Sequence, residues 1–332
     1  MSETQFRALV VEEAEPKKFV SSIKTRSLDE LPPGGVLVRV HYSALNYKDA
    51  LSSVGNRGVT RNYPHTPGVD ASGIVAASDD ARFAAGDEVL VTSYDLGMNT
   101  DGGLGEYIRV PVDWVVKLPP GMTLKRAMMF GTAGLTAGLM IDALVKHGLE
   151  PAQGPVLVTG ATGGVGSLAV AILAKAGYQV AAVTGKADAA DFLVSLGASQ
   201  VVSRESVIDT QRPMLKEQWA GVVDVVGGDM LASALKAMRY GGVATCAGLV
   251  GSPELHTSVF PFILRGITLV GIDSAECPMA RRVAVWNKLA DEWRPDCLED
   301  LTTEITLEEV ADRLAALLQG NAHGHYVVKM AG

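Results

Sequence analysis

The chain reads as a two-part α/β protein, a β-rich, barrel-like body followed by a doubly wound parallel sheet with helices on both faces. Three observations carry this. Short alternating strands with turn signals fill the sequence up to Val110, and near-continuous apolar strands recur at βα spacing after Gly154. A glycine cluster, Gly160-Ala161-Thr162-Gly163-Gly164-Val165-Gly166, directly follows the apolar run Pro155-Val156-Leu157-Val158-Thr159. Such a strand, turning sharply into a helix, aims the helix's first free N–H groups at a phosphate.

Taken in order, Arg7 to Val11 begins a strand and Gly35 to Tyr42 alternates with period two. Further strands are expected over Asp70 to Ala76, Asp87 to Thr92 and Glu106 to Val110, with Gly86-Asp87-Glu88-Val89 as a tight turn feeding one of them. The paired prolines of Leu118-Pro119-Pro120-Gly121 force extended backbone and end this region. Helix follows over Leu124 to Phe130 and Thr132 to Leu144, interrupted by Gly131 and Gly134. Past the glycine cluster, Ser167 to Ala176 has helical spacing, Gly177 closes it, and Tyr178 to Val183 supplies a second strand. Strands over Gln200 to Ser203, Gly221 to Val226, Gly242 to Ala247 and Ile267 to Ile272 bring the sheet to six, the number a dinucleotide-binding sheet needs. Met279 to Trp293 forms an amphipathic helix. Leu301 to Ile305 precedes a capping box of Thr306 and Glu309 that opens a helix through Leu318. Tyr326 to Met330 alternates like the N-terminal strands, so the tail is expected to cross back to them. Expected domain bounds are 1–126, 127–297 and a returning segment, 298–332.

With 332 residues the chain can bury two cores. A formal charge of -8 without any basic run leaves no track for a nucleic-acid backbone. The cysteines, Cys246, Cys277 and Cys297, are spaced too irregularly for a disulfide framework or a metal box. Met1 to Gln5 lacks the charged and apolar parts of a signal peptide, and no run of about 18 apolar residues follows. A cytoplasmic, soluble protein with no membrane partner is therefore expected.

The glycine spacing, G-x-x-G-x-x-G, is looser than the usual dinucleotide fingerprint, but its strand-turn-helix context compensates. An NAD site places Asp or Glu about 20 residues past the glycines to accept from the ribose hydroxyl. Here Val180 to Val183 runs instead into Thr184-Gly185-Lys186. A hydroxyl and an ammonium bind a 2'-phosphate that a carboxylate would repel, so NADPH is the expected cofactor. Arg204, after the third strand, is a second candidate for that phosphate; plain solvation is the competing reading for it and for Lys186. Ligands of such sheets lie beyond the carboxyl ends of the strands. The expected cofactor contacts are Thr132, Thr162, Gly163, Gly164, Val165, Thr184, Gly185, Lys186, Arg204, Gly248, Leu249, Val250, Ile272 and Ser274.

The β body must supply a second wall. Ser43 to Asp49 and Tyr63 to Asp70 read as polar loops entering a cleft between the domains. The six histidines are scattered and no cysteine precedes Cys246, so converging metal ligands are not expected. His323-x-His325 reads as a surface turn in preference to a weak chelate. Neither a G-x-S-x-G elbow nor a local Cys-His arrangement supports nucleophilic catalysis.

Pro67-Gly68-Val69-Asp70-Ala71-Ser72-Gly73, Gly86-Asp87-Glu88-Val89, Gly102-Gly103-Leu104-Gly105-Glu106-Tyr107 and the Gly160 to Gly166 loop together resemble the medium-chain dehydrogenase/reductase superfamily. That resemblance implies a GroES-like barrel domain and a Rossmann domain. Asn46-Tyr47-Lys48-Asp49, Tyr94-Asp95-Leu96-Gly97-Met98, Thr184-Gly185-Lys186 and the ending Gly324 to Lys329 are similar to its zinc-free acrylyl-CoA reductase branch, often labelled quinone oxidoreductase. Zinc-using relatives carry a cysteine in place of Asn46, Gly-His-Glu in place of Gly68-Val69-Asp70, and a four-cysteine lobe that is missing here.

The resemblance implies NADPH-dependent reduction of acryloyl-CoA to propanoyl-CoA, with hydride passing to the β-carbon and charge developing on the thioester oxygen. Asn46 and Tyr47 are then the expected donors to that oxygen. Tyr47 has a second reading as a wall of the nicotinamide pocket. Asp70 reads as an anchor for Asn46 ahead of a proton donor, and Arg57 and Arg61 as contacts for CoA phosphates or as plain surface. A quinone or general enone reductase is the alternative function, and a non-catalytic NADPH-binding structural protein a more distant one. Val259 to Leu264 and the sixth strand form an apolar edge suited to a homodimer.

Overall fold

The computed structural model describes residues 4–320 and 324–330; His323 of the His-x-His pair lies outside them. Two compact units are formed, 1–132 with 275–283 and 302–332, and 133–274 with 284–301. Residues 275–283 thus group with the first unit, although the sequence reading set them within 127–297.

In chain order the elements begin with β1 Gln5–Glu15, β2 Lys18–Ser27, β3 Val36–Ala44, α1 Tyr47–Ser53, β4 Asp70–Ser78, β5 Glu88–Thr92, β6 Tyr107–Val110 and β7 Val116–Lys117. They continue with α2 Leu124–Lys146, β8 Val156–Val158, α3 Gly164–Lys175, β9 Val180–Thr184, α4 Ala190–Ser195, β10 Gln200–Ser203, α5 Arg204–Val207, β11 Trp219–Asp224, α6 Gly228–Lys236 and β12 Met238–Cys246. The last are α7 Phe260–Arg265, β13 Thr268–Gly271, α8 Met279–Ala290, β14 Thr302–Thr306, α9 Val310–Leu318 and β15 His325–Lys329.

The first unit is built on a sheet of order β14-β15-β3-β4-β5-β7, with β6 also on β3, and a β1-β2 hairpin beside it. Val36, Val38, Val40, Val75, Val89 and Ile108 point one way from these strands and share a single core. The tail does cross back: β15 pairs antiparallel with β3 through Val327↔Ala44 and Lys329↔Tyr42. The capping box also forms, the Thr306 N–H donating to the Glu309 carboxylate at 2.9 Å. Sequence reading missed β2, none of whose residues is fully buried, so its apolar alternation is faint.

In the second unit six parallel strands run in the order β10-β9-β8-β11-β12-β13, which is 3-2-1-4-5-6 by position in the domain. This is the doubly wound dinucleotide fold. β11 ends at Asp224, two residues early, because the Val225 N–H turns aside to the Thr159 hydroxyl.

Two expectations about helices need correction. Only Gly131 breaks α2, at φ 52 and ψ -156, and Gly134 stays helical. α2 is also apolar enough to cross a membrane by length and composition, but 89% of that window is buried inside the protein, as in a core helix.

Candidate active site

Ser43 to Asp49 is not a loop throughout. β3 runs to Ala44, and Asn46 is the N-cap of α1, with Asp49 three residues on. The Asn46 N–H donates to Asp49 Oδ2 at 2.8 Å, one half of a capping box. Asp49 Oδ1 accepts the Gly68 and Val69 N–H groups, both at 3.0 Å. This carboxyl is fully buried, and burial, with the nearby Asp70 charge adding to it, pushes it up to about 7 against the pull of its three N–H donors.

Asp70 opens β4 and is also fully buried. Its Oδ2 accepts Asn46 Nδ2–H at 2.7 Å, its Oδ1 accepts the Thr132 hydroxyl at 2.6 Å, and the Thr132 N–H reaches both oxygens, at 2.8 and 3.0 Å. Since the Thr132 hydroxyl donates to Asp70, it accepts from Ser93 Oγ at 2.8 Å. The break at Gly131 permits this arrangement, because a Cβ there would lie 2.5 Å from Asp70 Oδ2. Burial raises the Asp70 carboxyl despite the donors and the Arg282 charge. Thr132, expected among the cofactor contacts, is thus an Asp70 partner.

Two features of this unit escaped the sequence reading. Ser93 and Tyr94 have φ 61 and 51, the left-handed region that non-glycine residues rarely occupy. The Tyr94 ring stacks on Trp114 at 5.5 Å, and the Arg282 guanidinium lies 4.2 Å from its centroid. Arg282 is fully buried and donates to Thr92 O at 2.8 Å and Ala275 O at 3.0 Å.

Tyr47, the first residue of α1, is 47% exposed. Arg57 and Arg61 line an open cavity of about 520 Å³ with Glu12, Glu13 and Tyr63. Arg57 there pairs with Glu13 at 2.6 Å, donates to the Arg61 carbonyl, and lies over the Tyr63 and Phe19 rings.

In the second unit, Gly160 turns at φ 58 and its carbonyl accepts the Gly163 N–H at 3.0 Å. α3 begins at Gly164, earlier than the expected Ser167, so Gly163, Gly164 and Val165 are its N-cap and first residues. A Cβ on Gly166 would collide with the Gly160 carbonyl, so only glycine lets helix and turn approach this closely. Gly163 is exposed, Gly164 and Val165 are half-buried, and Thr162 is buried beside them.

Thr184 ends β9, its hydroxyl accepting the Lys186 N–H at 3.0 Å, and Ser203 stands opposite it in β10. A Cβ on Gly185 would lie 3.0 Å from the Arg204 guanidinium. The fold therefore brings together Thr184, Gly185, Lys186 and Arg204, which follow separate strands in sequence. A glycine-lined helix start for a pyrophosphate and a strand tip carrying Thr184, Lys186 and Arg204 for a 2'-phosphate fit NADPH.

Leu249 and Val250 are 66% and 74% exposed, so core packing does not account for them. Gly248 lies against the Val225 carbonyl, Ile272 is half-buried, and Ser274 Oγ accepts the Thr136 hydroxyl at 2.8 Å. Asp224, unremarked in the sequence, is buried at the end of β11. It accepts the Thr159 hydroxyl at 2.7 Å and the Gly227 N–H at 2.8 Å. An acid ending an apolar strand was the available signal.

Zinc, by contrast, does not fit the first unit. The Val69 side chain offers no atom to ligate a metal, the Asn46 amide nitrogen faces Asp70, and among the described residues no group of three His, Cys, Asp or Glu side chains converges.

Residues 32–120 match the family described as the alcohol dehydrogenase GroES-like domain, and residues 164–290 that described as zinc-binding dehydrogenase. YhfP of Bacillus subtilis, which carries a quinone oxidoreductase name, is 49% identical over 98% of this chain and 99% of its own. Its crystal structure with NAD bound superposes with a TM-score of 0.96, covering 98% of this chain and 99% of that one. The acrylyl-CoA reductase AcuI of Ruegeria pomeroyi is 46% identical over 97% of this chain and 98% of its own. The yhdH oxidoreductase of Salmonella enterica, crystallised with NADP, is 44% identical with a TM-score of 0.95, covering 98% of this chain and 100% of that one.

Proposed function

The chain is an NAD(P)H-dependent oxidoreductase of the medium-chain dehydrogenase/reductase superfamily, in its zinc-independent quinone-oxidoreductase and acrylyl-CoA-reductase-like branch, and from that premise we propose that it reduces a carbon–carbon double bond conjugated to a carbonyl. NADPH, when bound, supplies the hydride, which adds to the β-carbon and leaves negative charge on the carbonyl oxygen. The observation that carries this reading is the hold on Asn46. One N–H of its amide is committed to Asp70 at 2.7 Å, while the amide's one other hydrogen bond among the described residues, to the Ala44 carbonyl, is 3.5 Å long. A contact that long is weak, so the second N–H is available to a developing oxyanion. A well-placed donor of this kind is worth about 3 kcal/mol. Tyr47 is the second donor, and its hydroxyl or a water returns a proton to the α-carbon. Asp70 orients Asn46 in this scheme, its carboxylate oxygens accepting from Asn46 and Thr132 among the described residues.

Within this class the broader reading, a reductase of free enones and quinones, is favoured by Arg57. Its charge is already matched by Glu13, which leaves less for the phosphates of a CoA ester. The narrower reading, acryloyl-CoA to propanoyl-CoA with Arg57 and Arg61 at the CoA phosphates, draws on the likeness to AcuI. Turnover of acryloyl-CoA, a free enone and a small quinone with NADPH separates them. A kcat/KM at least as high on the free enone is expected; a higher value on acryloyl-CoA that falls in Arg57→Ala would establish the acyl-CoA form. No turnover of any of the three would end the proposal.

The assembly proposed is a homodimer. Val259, Phe260, Ile263 and Leu264 on and beside α7 are exposed, Ile263 by 72%, and β13 is an edge strand. A second copy covering this apolar edge matches the commonest closed symmetry. Ile263→Glu is expected to shift the sedimentation coefficient to that of a monomer.

A further inference from the structure

Two segments far apart in the sequence meet on one buried carboxyl. Asp49 has three hydrogen-bond partners among the described residues, all backbone N–H groups. Oδ2 takes that of Asn46, at the turn into α1. Oδ1 takes those of Gly68 and Val69, in the segment that runs directly into Asp70. The Asn46 amide in turn reaches Asp70. Asn46 is therefore gripped twice, through its backbone by Asp49 and through its side chain by Asp70, and Asp49 sets the spacing between the two grips.

Helix capping alone does not account for this. Closing the box at the start of α1 uses one oxygen of Asp49. The two bonds on the other oxygen add nothing to the helix, and what they secure is the approach to Asp70. An amide at this position cannot replace the carboxyl, because in one orientation its NH2 group would face the Asn46 N–H and in the other those of Gly68 and Val69, donor against donor either way. Burial meanwhile makes the carboxyl costly to hold ionised.

We propose that Asp49 is a positioning residue for the reduction, holding the Asn46 amide in its productive orientation by clamping the start of α1 to the Gly68–Val69 segment. The inference rests on the proposed role of Asn46, and a double-mutant cycle keeps the two apart. Steady-state kinetics with NADPH and a free enone would be measured for Asn46→Ala, Asp49→Asn, Asp49→Glu and the Asn46→Ala/Asp49→Asn pair, with NADPH affinity by fluorescence titration and folding by circular dichroism. Asp49→Asn is expected to lower kcat about 30-fold with KM and NADPH affinity changed less than about twofold, the pattern of a contact made in the transition state. Asp49→Glu, which keeps a carboxylate but is longer, should fall between it and the wild type. In the Asn46→Ala background, Asp49→Asn should cost less than about a further twofold, because the group it positions is gone.

Unchanged kcat in Asn46→Ala would defeat the reading of Asn46 itself. A large loss in Asn46→Ala beside wild-type kcat in a folded Asp49 variant, or additive losses in the pair, would defeat the role of Asp49 alone. Failure of both Asp49 variants to fold would make Asp49 a purely structural residue and overturn the proposal as well.

Discussion

The glycine turn between β8 and α3 and the acid cluster around Asn46 both hold chemical groups in place, by opposite means. The turn uses backbone alone: residues of one short segment fold on themselves, and the missing Cβ of Gly166 lets the helix close on the Gly160 carbonyl. The cluster uses side chains recruited from far apart, with Asp49 reaching Gly68 and Val69, and Asp70 reaching Asn46 and Thr132. A backbone device tolerates any side chain that does not fill its space. A side-chain device fails when one acceptor becomes a donor.

Asp70→Asn puts the largest strain on that contrast. Both Asp70 oxygens accept, and an amide presents a donor to Thr132 or to Asn46, releasing the Asn46 amide from its orientation. kcat should fall by about 100-fold, in the range for loss of an oxyanion-stabilising donor. NADPH binding, followed by fluorescence titration, should change less than about twofold, since no glycine of the turn is touched. A comparable loss of NADPH affinity would show that the two devices are not separable in this way.

The reverse experiment is Gly166→Ala. One methyl group forced against the Gly160 carbonyl costs about 2 kcal/mol by overpacking, or about 30-fold in NADPH affinity if the turn opens to accept it. The same titration checks it, and saturating NADPH should restore most of kcat because the Asn46 cluster is intact.

This contrast also explains what the sequence disclosed. The six strands, the glycine turn and the returning tail were legible because each is encoded by local period, turn residues or a short motif, whereas the strand order came from the structure alone. At the cofactor strand tip, Thr184-Gly185-Lys186 was legible, and Arg204 became a candidate because it follows the third strand. The Asn46–Asp70 contact was foreseen as one of two uses of that acid. Asp49 was not singled out, because Asn-x-x-Asp reads equally as a loop, and its worth comes from N–H groups nineteen and twenty residues away. Arg282, in an amphipathic pattern, gave no sign of its burial against Tyr94.

Arg204 tests the backbone device at its outer end, with a smaller effect. Its guanidinium lies over Gly185, and removing a charged partner of a phosphate costs about 1.4 kcal/mol, or about tenfold. Arg204→Ala should therefore weaken NADPH about tenfold and leave NADH within about twofold, read as the ratio of the two dissociation constants. Equal losses for both dinucleotides would place Arg204 away from the 2'-phosphate.

The smallest effect is a pH dependence of stability that belongs to the side-chain device. Burial holds the Asp49 carboxyl at about 7, above the ordinary 3.8, so below the lower value both folded and unfolded chains carry the proton and its contribution is full. As pH rises through 7 the unfolded chain has already lost that proton while the folded one still holds it in part, and stability declines. Between pH 6.5 and 7.5 this amounts to about 0.7 kcal/mol, a fall in Tm of about 1 °C. His325, pushed down to about 4 by burial, acts in the opposite sense, and because the unfolded chain's histidine titrates around its ordinary 6.5 it offsets part of this decline within the window. Calorimetry at the two pH values on the wild type and Asp49→Asn should show the wild type losing stability relative to the variant as pH rises, the histidines, which act in the opposite sense in both, cancelling in the difference. Identical slopes would mean that the carboxyl is ionised in the folded protein throughout this range, its three N–H donors outweighing the burial.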